Sequence, residues 1–280
     1  VMNLNPKLGM KHDEFALSLK QANDGDKATG DHKIWPDEAE KLHVYTGITQ
    51  EILLSMNVQG IKNNLTTHRN LMSKMFERKK TTNTAGEEVY TNVIADMIKH
   101  SPRYKQGENF AVDTVNYILS NMHEDRQKIG QSVLATAESW IGQFFINPLI
   151  RPWCDCETSD FNIEDITTKG LIVGASLDRN KHGTPGWILQ VILKNRFRGL
   201  INARPTDWRE RNMGNDAILV QDEFHFIATD LDAQSITTDR DRGLINIAGT
   251  QNRTNFLVKF SNKDLASQME SGFTNIISRW

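Results

Sequence analysis

The residues best suited to chemistry are two adjacent acids, Asp222 and Glu223, which follow the apolar run Ala217-Ile218-Leu219-Val220 and Gln221. In open α/β sheets ligands sit beyond the carboxyl ends of the strands, so acids at such a tip stand where they can work. An Asp there offers Mg²⁺ a hard oxygen beside a substrate's phosphates, directly or through water. The adjacent Glu can orient or deprotonate the water that attacks a terminal phosphate. A lone Asp-Glu pair is otherwise a solvated turn, but the apolar residues before it and a second motif favour the chemical reading. That motif, Ile245-Asn246-Ile247-Ala248-Gly249-Thr250-Gln251-Asn252, is again an apolar run ending in polar residues. Thr250 and Gln251 can place an amide near the terminal phosphate and its water. Arg240 and Arg242, between the two runs, have two readings. One of them stabilises charge on a transferring phosphoryl group, in its own site or across a subunit boundary, or Asp239 and Asp241 pair them in a surface cluster.

The elements that must position these residues are short, nearly continuous apolar runs separated by helical patterns, as expected of parallel strands buried on both faces. Strands are expected at Leu171 to Val173, Ala217 to Val220, Leu244 to Ala248 and Asn255 to Phe260, with a helix over Trp187 to Leu200. Residues 128–280 therefore read as α/β. Residues 1–127 read as a mostly helical domain. Apolar residues from Ile48 to Phe76 recur at i, i+3, i+4, which suits a long helix or a kinked pair with Gly60 as the weak point. Further helices are expected over Tyr90 to Lys99, ended by Ser101-Pro102, and over Val112 to Glu124, with loops at Asp24 to Gly30 and Lys79 to Glu87.

Composition narrows the classes. The 280 residues carry 38% hydrophobic and 24% charged side chains at net charge -2, with mean hydropathy -0.50. This excludes disorder as the main state and any uninterrupted run of about 18 apolar residues. Neither part is basic enough to bind nucleic acid through bulk charge. The two cysteines, Cys154 and Cys156, exclude a disulfide framework and fit a reducing, cytoplasmic setting. With no second Cys pair or compact His pair they read as ordinary thiols near a loop rather than a metal site. The chain opens on Val1, and a processed product or a piece of a longer protein is expected.

The order Gln131 to Asn147, Ser159 to Ile163, Gly170 to Val173, Ile218 to Phe224, and Arg240 to Gln251 resembles the later half of a type IV secretion coupling protein. These TraD/TraG-like proteins are ATPases of the RecA-like motor class. The resemblance covers roughly residues 128–280. It implies a partial RecA-like parallel sheet of the P-loop NTPase class preceded by an all-α domain, with 1–127 as an insertion and 128–280 as the Walker B half. It implies ATP and Mg²⁺ as cofactors of the parent, with Asp222 on the Mg²⁺ of the nucleotide, Glu223 activating water, Thr250 and Gln251 at the terminal phosphate, and Arg240 acting between subunits. It further implies a homo-hexamer at the cytoplasmic face of the bacterial inner membrane, held by an N-terminal anchor outside this chain. Its partners would be single- or double-stranded DNA, relaxase or effector cargo, and the secretion channel. A phosphate cradle of the G-x-x-x-x-G-K-[ST] type occurs nowhere in the sequence. The chain by itself is thus expected neither to bind ATP tightly nor to hydrolyse it, and a sheet without the cradle strand to leave apolar edges exposed.

Two other functions compete. One is a non-catalytic module in which the helical part recognises relaxase or other cargo. The other is a metal-dependent hydrolase using Asp222, Glu223 and His225, for which Asp178 is the best further ligand. Asp222-Glu223-Phe224-His225 also imitates an Asp-Glu-Ala-His helicase box, but other helicase motifs are missing and His225 reads as a packing or hydrogen-bonding residue.

Overall fold

A computed structural model describes residues 5–23, 34–82, 84, 86–251, 254, 260 and 263–273. The expected loop at 24–30 lies outside them, as does the expected strand at 255–260 apart from Phe260. The chain divides into two compact units, 1–20 with 28–159, and 21–27 with 160–280.

In the first unit α1 spans His12–Ala22 and α2 spans Ile34–Ser55. α2 is buried on most of its circumference, through Leu42, His43, Thr46, Ile48, Thr49, Gln50, Ile52 and Leu53 among others. Gly47 has a packing reason, because a Cβ there would come within 2.8 Å of the His12 ring. The expected kinked pair is two helices. Asn57 and Gly60 take positive φ after Ser55, and α3 restarts at Leu65–Met75 under an Asn64 cap that accepts from Thr67 N at 2.9 Å.

The expected loop at Lys79 to Glu87 is instead an antiparallel pair, β1 Lys79–Thr82 with β2 Glu88–Thr91. Its threonines and Val89 favour extended backbone, and the Arg78 guanidinium lies 5.0 Å from the Tyr90 ring centroid. Then come α4 Val93–Lys99, α5 Pro102–Lys105, α6 Asn109–Ser120, α7 Glu124–Ile146 and α8 Arg151–Cys154. Asn92 starts α4 by accepting from Ile94 N and Ala95 N, while its amide donates to Lys74 O, Met75 O and Glu77 O. The helices α3, α4, α6 and α7 all pack on α2. The expected boundary at 127/128 falls inside α7.

The second unit holds α9 Asp165–Thr168, α10 Arg179–Asn202, β3 Ala217–Gln221, α11 Phe224–Ile227, α12 Asp230–Asp239, β4 Leu244–Ala248 and α13 Lys263–Gly272. β3 and β4 pair in parallel, Ala217 opposite Leu244 through Gln221 opposite Ala248. Alternation splits their side chains between two faces. Ala217 and Leu244 join Ile163, Phe197 and Ile201 in a core. Ile218, Val220, Ile245 and Ile247 point the other way, each more than half exposed. A second core of Phe224, Ala228, Ala233, Ile236, Phe260, Ala266 and Met269 holds α11, α12 and α13 together. The strand expected at Leu171 to Val173 is not formed. Those residues pair with no strand among the described residues, and Ile172 is fully exposed. The described residues are mostly helical with two small sheets, one of them a parallel pair. Among the described residues no helix is long and apolar enough to cross a membrane.

Candidate functional site

The parallel register carries the ends of β3 and β4 to the same level, and the backbone then ties them together. Gly249 N donates to Gln221 O at 2.8 Å and Phe224 N donates to Gly249 O at 2.8 Å. Gly249 fits closely here, since a Cβ would stand 3.2 Å from Asp222 Oδ1. Asp222 turns its carboxylate back to accept from Glu223 N at 2.9 Å. Glu223 itself adopts the left-handed conformation, φ 49° and ψ 42°. A non-glycine residue held there costs about 1–2 kcal/mol, and such strain gathers at functional sites.

Of the residues singled out at the two strand ends, Glu223 and Gln251 meet directly, and His225 lies between Glu223 and Thr250. Gln251 Nε2 donates to Glu223 Oε1 in a short hydrogen bond. His225 Nδ1 stands 3.4 Å from Glu223 Oε2 and 3.2 Å from Thr250 Oγ1. Asp222, Thr250 and Gln251 are exposed and Glu223 is half-buried, so the Asp222 carboxylate is open to solvent while Glu223 Oε2 is buried without a hydrogen-bond partner among the described residues. Phe224, fully buried, anchors the turn from below. Chemically, Asp222 offers a hard oxygen beside a second carboxylate, Glu223, of which one oxygen is held by the Gln251 amide.

Arg240 is not part of this cluster. It follows α12 next to Gly243, whose carbonyl accepts from Ala217 N at the start of β3. Five residues at about 3.3 Å each separate that end of the pair from the acids. Its side chain is 85% exposed, with Asp241 Oδ1 3.9 Å away. Asp239 does not pair it but turns inward, 3.5 Å from Arg198 and accepting from Asn246 Nδ2 at 2.8 Å. Arg242 is structural. It donates to Arg204 O, while Arg204 Nη1 donates to Arg242 O at 3.1 Å and Trp208 Nε1 to Asp241 O at 3.2 Å.

His225, read as a packing or hydrogen-bonding residue, stands 3.4 Å from Glu223 Oε2. Two features went unread in the sequence. Gln221 is buried at the end of β3, and among the described residues neither its amide nitrogen nor its oxygen has a hydrogen-bond partner; a polar residue closing an apolar run was the available signal. Beneath the sheet lies a buried ionic network, with Lys194 and Arg198 of α10 on Asp232 of α12 and Arg198 Nη2 donating to Asn246 Oδ1 of β4 at 3.0 Å. Its signal was two cations four residues apart in an apolar helix. Cys154 is a buried thiol that burial pushes well above its ordinary pKa, and Cys156 donates to Trp153 O at 3.1 Å. Among the described residues no group of three or more His, Cys, Asp or Glu could hold a metal ion.

No protein-family model matches the chain, and no curated protein matches it. Among solved structures it is similar to a bacterial conjugative coupling protein, TrwBΔN70 in its unbound monoclinic form, at 12% identity and a TM-score of 0.48. The likeness covers 97% of this chain and 53% of that one, so the chain spans about half the length of the structure it matches.

Proposed function

We propose that this chain is the acid-bearing half of an ATP-driven motor of the type IV secretion coupling class, working on DNA or protein cargo at a conjugation channel. The observation that carries the proposal is the contact of Gln251 with Glu223 across the ends of two adjacent parallel strands. A water-activating carboxylate and a phosphate-sensing amide need this juxtaposition. Asp222, exposed and set between Gln221 and Phe224, both of which bond Gly249, fits the hard-ligand demand of Mg²⁺ accompanying a nucleotide. When bound, Mg-ATP supplies the phosphoryl group and the charge that polarises it.

Within the chain, Glu223 accepts the water's proton at a carboxylate oxygen. Gln251 holds that carboxylate through Oε1, and His225 and Thr250 line the same edge. Because the phosphate cradle is not in these 280 residues, another part of the parent polypeptide has to provide it. Arg240, exposed and at the far end of the strand pair, suits action on a neighbouring subunit of a homo-hexamer rather than on its own site. The helical domain, the DNA and relaxase partners, and attachment to the inner membrane through an anchor outside the chain complete the same proposal.

The test is Mg-dependent ATP hydrolysis by the complete parent polypeptide, wild type and Glu223→Gln, with the 280-residue chain as a third sample. Hydrolysis that falls at least about 100-fold in Glu223→Gln and is absent from the short chain supports the assignment. A parent with unimpaired Glu223→Gln turnover overturns it.

A further inference from the structure

The helical unit buries a chain of polar side chains that the acid pair does not use. Lys7, His43, Gln50 and His68 are all buried. His43 Nε2 lies 3.2 Å from Ala137 O. A carbonyl only accepts, so the His43 proton sits on Nε2, and Nδ1 of the neutral ring must accept. That Nδ1 faces His68 Nε2 at 3.1 Å, so His68 donates from Nε2. Its own Nδ1 then accepts from Lys7 Nζ, 3.0 Å away. Lys7 also donates to Gln50 Oε1, and Gln50 Nε2 donates to Lys62 O and Asn64 O. The chain therefore runs one way, from Lys7 through His68 and His43 to Ala137. With Lys7 charged, a second proton on either ring sets two N–H groups face to face.

Among the described residues nothing anionic is placed to compensate. The titratable groups facing the chain are Lys7 on the N-terminal turn, His12 on α1, His43 on α2 and His68 on α3. From α1 the Phe15 ring closes on His68 at 5.9 Å, and from α7 the Trp140 ring lies 5.7 Å from His43. Glu51 is engaged by His12 at 2.8 Å and by Arg103 at 2.7 Å. Burial holds His43 down to about 3 and His68 well below its ordinary value. The same burial brings Lys7 down to about 7.

The turn that carries Lys7 also ties distant parts of the unit. Asn5 Nδ2 donates to Asn63 O at 2.7 Å and to Glu157 O at 3.3 Å, and Asn5 N donates to Ser159 Oγ at 3.1 Å. We propose that the Lys7–His68–His43 chain is an acid-sensitive latch, whose protonation on either imidazole frees the turn at residues 5–10, and with it residues 157–159, from α2 and α3. The opened form binds protons below the ordinary histidine value that the latched form excludes. Each ring then shifts the balance toward opening about tenfold per pH unit, and both together about 100-fold.

The experiment is hydrogen exchange of the 280-residue chain between pH 7.5 and 5, read at the amides of Lys7, Leu8 and Met10 after correction for intrinsic rate. Below pH 6 the latch requires protection to fall by more than tenfold and toward 100-fold per pH unit. In His68→Gln the amide oxygen accepts from Lys7 and the amide nitrogen donates to His43, so the direction survives without a titrating ring and the slope drops to about tenfold. Flat protection in the wild type, or a slope unchanged by His68→Gln, overturns the latch. Nitrogen-15 spectra of the wild-type imidazoles at pH 7.5 test it without a variant. Both rings must be Nε2–H tautomers, and an Nδ1–H tautomer or a doubly protonated ring at either position rejects the proposal.

Discussion

Asp232→Asn changes one atom in the network beneath β3 and β4, and its cost follows from what that carboxylate holds. Asp232 is fully buried, with Arg198 Nη1 3.0 Å from one oxygen and Lys194 in short contact with the other. It also caps α12, accepting from Thr229 N at 2.7 Å and Thr229 Oγ1 at 3.0 Å. Two buried cations are presently balanced by Asp232 and Asp239. After the substitution Asp239 still faces Arg198 while Lys194 has lost the Asp232 carboxylate, and both cations are less than 5% exposed. Removing one partner of a buried pair typically costs about 3–5 kcal/mol, because the charge left behind cannot regain water. Urea unfolding at pH 7, followed through the exchange protection of β3 and β4 amides, measures the loss. Adding Lys194→Met to Asp232→Asn restores neutrality and recovers at least about 1 kcal/mol. A loss below about 1 kcal/mol for Asp232→Asn, or no recovery in the double variant, would refute the reasoning by showing that the cations re-solvate. Burial by itself raises the Asp232 carboxyl, but Lys194 and Arg198 outweigh it and hold it below its ordinary value. The stabilisation is therefore complete at neutral pH and is lost only as pH falls through that lowered value.

Glu223→Gly relieves the left-handed backbone of the acid turn and is expected to stabilise the second unit by up to about 1 kcal/mol in thermal unfolding, while abolishing ATP hydrolysis by the parent. Gly243→Ala meets both a positive φ of 84° and steric overlap, since its Cβ would run into Trp208 Cζ2 and stand 2.7 Å from Asp216 Oδ1. A loss of about 2–4 kcal/mol in urea is expected. Asn92→Ala removes the α4 cap and its three amide-to-carbonyl bonds, and a loss of about 2–3 kcal/mol should appear in the first unit by the same assay. Burial holds the Lys7 ammonium down to about 7 from 10.5, so between those values the unfolded chain binds a proton that the folded chain lacks. Unfolding free energy should then rise with pH from about 7 to 10, by up to about 1.4 kcal/mol per unit, with a slope that Lys7→Met removes.

The residues of the acid site are legible because their signals are local. An apolar run closing in Asp222-Glu223 and another closing in Thr250-Gln251 mark two strand ends without knowledge of any partner. The break between α2 and α3 is equally local, since Asn57 and Gly60 supply the positive φ that ends one helix before Asn64 caps the next. The β1–β2 hairpin hid behind a polar composition, because Thr, Lys and Glu suit a solvated loop as well as an exposed strand. Leu171 to Val173 erred in the other direction. A β-branched run becomes a strand only where a neighbour offers hydrogen bonds, and among the described residues none does.

What tertiary structure alone decided is who meets whom. The register of β3 on β4 brings Gln251 to Glu223, and the same register carries Arg240 to the opposite end of the pair. Helix packing gathers Lys7, His43 and His68 from three separate segments, and turns Lys194 and Arg198 onto Asp232. Periodicity states which face of an element is buried. The partners that face receives depend on register and packing between segments far apart in the chain, and no local pattern encodes them.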